Sequence, residues 1–77
     1  MAADANRVIV SSDSPPQFSA HHHDFPELRA SGESAQAAGA NLAVDLEREI
    51  EAAADDLHRA PLRRALDDVR AFVASKK

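Results

Sequence analysis

Residues 28–42 read Leu-Arg-Ala-Ser-Gly-Glu-Ser-Ala-Gln-Ala-Ala-Gly-Ala-Asn-Leu, and the apolar period changes inside them. Up to Ser31 the pattern alternates, as a half-buried strand does. From Ala35 it follows steps of three and four, as an amphipathic helix does. Gly32 breaks the first pattern. Ser34 suits an N-cap for a helix that begins at Ala35, and Glu33 adds negative charge beside the positive helix end. The fold therefore divides here into a strand half before Gly32 and a helical half after Ser34.

Working back toward the N-terminus, Leu28 to Ser31 is a short strand ending at Gly32, and Asp24-Phe25-Pro26 interrupts the chain before it. Gln17 to His23 reads as extended. Phe18, Ala20 and His22 share one face of it, while Ser19, His21 and His23 share the other. Ser12-Asp13-Ser14-Pro15-Pro16 is turn chemistry, since neither proline can donate to a ladder. Arg7 to Ser12 contains the β-branched run Val8-Ile9-Val10, a further strand. Residues 1–6 carry no pattern and are expected to be a loose end.

Working forward, an apolar stripe runs Ala38, Leu42, Leu46, Ile50, Ala53, Leu57. Beside it lies a second stripe of small residues, Ala35, Gly39 and Ala43. Glycine in a helix interior costs about 1 kcal/mol relative to alanine, so Gly39 implies close approach to the sheet or to another helix. Pro61 is expected to end or kink this helix, and it also suits the first turn of the next. Leu62, Ala65, Leu66, Val69, Phe72 and Val73 then form a second amphipathic stripe. The expected fold is α+β: a small antiparallel meander of about three short strands followed by two helices, one domain over residues 7–75, with 76–77 as a tail.

Composition limits what such a domain can do. Hydrophobic residues make up 44% of the 77, but half of them are alanine, leaving few large side chains for a core. No cysteine is present to supply a disulfide or a thiolate metal site. Small cores are marginal by themselves, which favours association with a partner or with copies of the same chain. The net charge of −4 opposes unspecific attraction to phosphate backbones. No stretch reads as a signal peptide or a spanning segment, and a cytoplasmic protein is expected.

Residues 7 to about 50 carry a family pattern: Arg7-Val-Ile-Val-Ser-Ser-Asp, Phe18-Ser-Ala-His-His-His-Asp-Phe-Pro-Glu-Leu, Ala30-Ser-Gly-Glu-Ser34, then Ala38 and Asn41-Leu42. They resemble the N-terminal half of HicB-like antitoxins. Phe25-Pro26-Glu27-Leu28 occupies the place of the family's turn, and Gly32-Glu33-Ser34 that of its helix cap. The resemblance implies a hairpin, a short strand and a helix packed on the sheet. It also implies a regulatory protein-binding role, with a small partner such as a toxin. The Pro-Gly-Cys that usually follows the leucine is absent. Where the family returns with a strand and often adds a DNA-binding module, this chain offers a second helix after Pro61. The chain is thus read as a free-standing relative without a separate DNA-binding domain.

Several residues suggest chemistry. His21 and His23, with Asp24 or His58, could ligate Zn²⁺ or Ni²⁺; the competing reading is a polar outer strand face. Arg63, Arg64 and Arg70, with Lys76 and Lys77, could form a phosphate-binding stripe. The strand-helix-helix order would then suit a ribbon-helix-helix regulator, although Glu27-Leu28-Arg29-Ala30-Ser31 holds one base and one acid. For catalysis, Ser11, Ser12, Ser19 and the histidines stand at no recognisable spacing. Asp55-Asp56 and Asp67-Asp68 read as solvated faces. The expectation is a non-enzymatic module with no cofactor, no membrane and no nucleic-acid partner. It is expected to associate with itself through Ala35, Gly39 and Ala43, or through Leu62, Leu66, Val69 and Phe72.

Overall fold

Alternating side chains bring three strands together, and the computed structural model, which describes residues 5–14 and 17–75, shows how. Strands β1 (Val8–Ser14), β2 (Gln17–His22) and β3 (Phe25–Gly32) form one antiparallel sheet in the order β1-β2-β3. Helices α1 (Ala35–Ala52) and α2 (Asp56–Ser75) follow, which is the α+β order read from the sequence. Pro15, Pro16 and the tail at 76–77 lie outside the described residues, as do residues 1–4 of the expected loose end. Ala5–Arg7 is not loose: it forms a single 3-10 turn packed against α2.

The ladder fixes which side chains face the helices. Val8 pairs with His22, and Val10 pairs with Ala20, which in turn pairs with Ala30. These residues and Phe18 line the covered face. The row Val10-Ala20-Ala30 is small at its centre, and Ala20 is fully buried. Small size continues into the turn: a Cβ on Gly32 would lie 2.6 Å from the Ala38 nitrogen. The first turn of α1 therefore rests directly on the end of β3. Ser34 caps it, its hydroxyl accepting from the Ala37 N–H at 3.0 Å, and the Asn41 amide donates to the Ser31 carbonyl at 2.7 Å.

Two boundaries differ from the sequence reading. β3 begins at Phe25 rather than Leu28, and pairing jumps from His21–Arg29 to His22–Phe25. Pro26, Glu27 and Leu28 form a bulge on an edge strand, where a missing N–H does no damage. The second difference is the joint between the helices. α1 ends at Ala52, with Ala53 extended as its cap, and the chain breaks at 53–55 rather than at Pro61. The cause is Asp55, whose carboxylate accepts from the His58 N–H at 3.1 Å and so starts α2. Leu57, placed on the first stripe by periodicity, is 85% exposed. Pro61 sits inside α2 in its second turn and is exposed there.

The two helices run antiparallel, as their contacts require: the Gln36 amide donates to the Val73 carbonyl near one end, and Arg70 donates to Glu47 further along. Between them and the sheet lies the core of Val8, Ala20, Ala38, Leu42, Leu46, Leu62, Ala65, Leu66 and Val69. Gly39 is buried on α1, where an added Cβ would meet the Phe72 ring at 2.9 Å and Val73 at 3.2 Å. The close approach signalled by Gly39 is therefore to another helix, the chain's own α2.

Candidate functional site

The histidine run splits by strand parity. His22 is in phase with Phe18 and Ala20, so it turns into the core and is 1% exposed. Its Nε2 stands 2.8 Å from Asp68 Oδ2 on α2, and its Nδ1 lies 3.0 Å from the Asp24 backbone nitrogen. A backbone N–H can only donate, so Nδ1 accepts and the ring proton is assigned to Nε2, which donates to the carboxylate. Phe25 packs against the ring, with centroids 6.2 Å apart. Asp68 is itself only 7% exposed. Burial of such groups is tolerated when each has its partner, and this bond ties the end of β2 to the middle of α2.

The pair has the outline of a base and its orienting carboxylate. Both ring nitrogens are occupied and the ring is sealed from solvent, so a substrate has no nitrogen to meet. Its visible role is to join the sheet to α2.

Asp24, in the turn after His22, gathers the remaining polar contacts. His23 Nδ1 donates to its carboxylate at 3.3 Å and Arg7 approaches at 3.4 Å. The His23 hydrogen bond, aided by the Arg7 charge, holds this carboxyl below its usual 3.8. Asp55 is held low in the same sense by its hydrogen bonds from the His58 ring and His58 N–H.

The structure does not assemble the metal set His21, His23, Asp24 and His58. His21 lies on the sheet face opposite His22, between Ile9 and Arg29 across the strands; neither neighbour offers a ligand, and one is a cation. His23 and Asp24 bond each other, and His58 bonds Asp55 at 2.8 Å. Among the described residues no three His, Cys, Asp or Glu side chains form a group that could hold a metal ion.

The self-association faces read from the helices require correction. Gly39, Leu62, Leu66 and Val69 are buried within the chain, and Ala35, Ala43 and Phe72 are partly buried. The small-residue stripe receives Phe72 and Val73 of the same molecule, so it is already filled. The arginines form no single-sign stripe either. Arg70 donates to Glu47 at 2.8 Å. Arg63 and Arg70 line an open groove of about 340 Å³ together with Glu47, Glu51 and Asp67, over Ile50 and Leu66. Arg64 is exposed beside them. β3 is paired to β2 within the chain, unlike the lone strand of a ribbon-helix-helix protein.

Among the described residues no helix covers the second face of the sheet. The outer sheet face carries Ile9, Ser11, Ser19, His21, Arg29 and Ser31, with Ile9 38% exposed. No described helix is long and apolar enough to cross a membrane. No protein-family model matches the chain, and no curated protein or solved structure gives a significant match.

Proposed function

We propose that this chain is a small non-enzymatic protein-binding or regulatory module, related in kind to the HicB-like antitoxins, that works as a homo-oligomer. The observation that carries the reading is the one-sided cover of the sheet. Both helices pack on the face of Val8, Ala20 and His22, while no described helix covers the opposite face and no described strand pairs with the outer edges of β1 and β3. A three-stranded sheet with a bare face and open edges is a ready surface for pairing or docking. The small core supports the same reading, since few large side chains are buried.

Two further features agree with it. Both ring nitrogens of the buried His22 are taken, so this histidine is not available as a catalytic base, which agrees with a non-enzymatic module. The turn and cap residues behind the HicB-like resemblance form the bulge of β3 and the seat of α1, and both shape the sheet rather than a pocket. The test is sedimentation over about a hundred-fold dilution range from high micromolar protein. A mass of two or more chains at high concentration is expected. A folded monomer throughout overturns the reading.

A further inference from the structure

The two edges of the sheet are built differently, and only one is defended. Along β3, Pro26 lacks an N–H, Pro26-Glu27-Leu28 bulges, and Glu27 and Arg29 carry charge. These are the devices by which edges avoid pairing. β1 has none of them from Val8 to Ser12: no charge, no proline, no glycine. Its ladder to β2 is regular from Val8 to Ser11 and is interrupted only beyond Ser11.

The direction of its free backbone groups follows from the pairing. The His23 N–H donates to the Arg7 carbonyl at 2.9 Å. Hydrogen-bonded pairs alternate along an antiparallel ladder, so Ile9–His21 and Ser11–Ser19 are the next such pairs. Arg7, Ile9 and Ser11 therefore turn their N–H and C=O groups toward β2. Val8 and Val10 turn theirs outward, to the edge.

We propose that this edge pairs antiparallel with β1 of a second copy, about a two-fold axis at Ile9. The proposal rests on the self-association reading above and names its surface. In this register Val8 exchanges backbone bonds with Val10 of the other copy, and the two Ile9 residues stand side by side on the outer face. Those exposed side chains then cover each other. Centring on Val10 instead would match Val8 with Ser12, where the ladder is already interrupted. Charge agrees as well. In this register Arg7 of one copy stands opposite Ser11 of the other, and no like charges face each other from Val8 to Ser11. The product is a continuous six-stranded sheet with the helices of both copies on one side.

Sedimentation of two proteins tests this: wild type and Ile9→Lys. Circular dichroism confirms that each is folded, and amide exchange follows Val8 and Val10. The wild type is expected to dimerise. Ile9→Lys places two cations at the axis and is expected to weaken the dimer at least about ten-fold. The Val8 and Val10 amides should become protected as concentration rises. A dimer untouched by Ile9→Lys, with those amides exchanging freely, overturns the edge pairing while self-association stands. A wild type that stays monomeric overturns both.

Discussion

The two faces of the sheet were built from the same strands and ended in opposite states. One face presents Val8, Val10, Ala20, His22 and Ala30 to two helices. The other carries Ile9, Ser11, Ser19, His21 and Arg29, with no described helix over it and with Ile9 and Arg29 exposed. Because strand side chains alternate, neighbours in sequence were sorted onto different sides, and three adjacent histidines received three environments. His22 is sealed in the core, His21 stands on the open face, and His23 is exposed in the turn. The lesson is that a run of identical residues on a strand is not a cluster in space.

Substitutions on the covered face should have the largest effects. Leu42→Ala removes a fully buried side chain from the centre of the core and is expected to cost about 2–5 kcal/mol. In a domain this small, that should leave much of the protein unfolded at room temperature, as read by urea melts. Asp68→Ala leaves the His22 Nε2–H without its acceptor and is expected to cost about 1–3 kcal/mol. Asp68→Asn keeps an acceptor and should cost less. If Asp68→Ala melts like the wild type, the pair is not holding β2 to α2. Ser34→Ala removes the cap of α1 and is expected to cost about 1 kcal/mol, visible as a lower urea midpoint.

Changes at the exposed turn and joint should be smaller and should depend on pH. Asp24 and Asp55 both titrate below their usual value when the chain is folded. Their contribution to stability is therefore complete above the unfolded value and is lost as pH falls through the folded one. Melting temperature should drop on acidification below about pH 4, and Asp24→Asn/Asp55→Asn should flatten that drop. An acid limb unchanged in the double variant would assign the loss to other carboxylates. Zinc in excess should leave the wild-type melt where it is, since His21, His23 and Asp24 do not converge; a raised melting temperature would show that they do.

Local chemistry made much of this legible from the chain. Ser34 announced the start of α1, the alternation at Phe18, Ala20 and His22 gave the covered face, and Gly39 signalled a close contact. Competition and distance hid the rest. The break at 53–55 lies in an alanine run with good helix propensity, and it arises because Asp55 captures the His58 N–H. Pro61 was the louder signal but is tolerated near the start of α2. The His22–Asp68 bond spans 46 positions in the chain, so no local pattern joined its ends. A hint existed: Asp68 falls between Ala65 and Phe72 at helical spacing, which puts a carboxylate on the apolar stripe. Gly39 told how close a neighbour comes but not whose it is, and the answer was the chain's own Phe72.

The helical side is filled from within by Phe72 and Val73, and the β1 edge is the proposed place where copies meet. An NMR titration of protein concentration tests it most directly, with backbone amides followed from dilute to concentrated protein. The shifts should concentrate at Arg7, Val8, Ile9 and Val10, while Ala35, Gly39, Ala43 and Phe72 stay in place. Shifts centred on Gly39 and Phe72, with β1 unmoved, would contradict it.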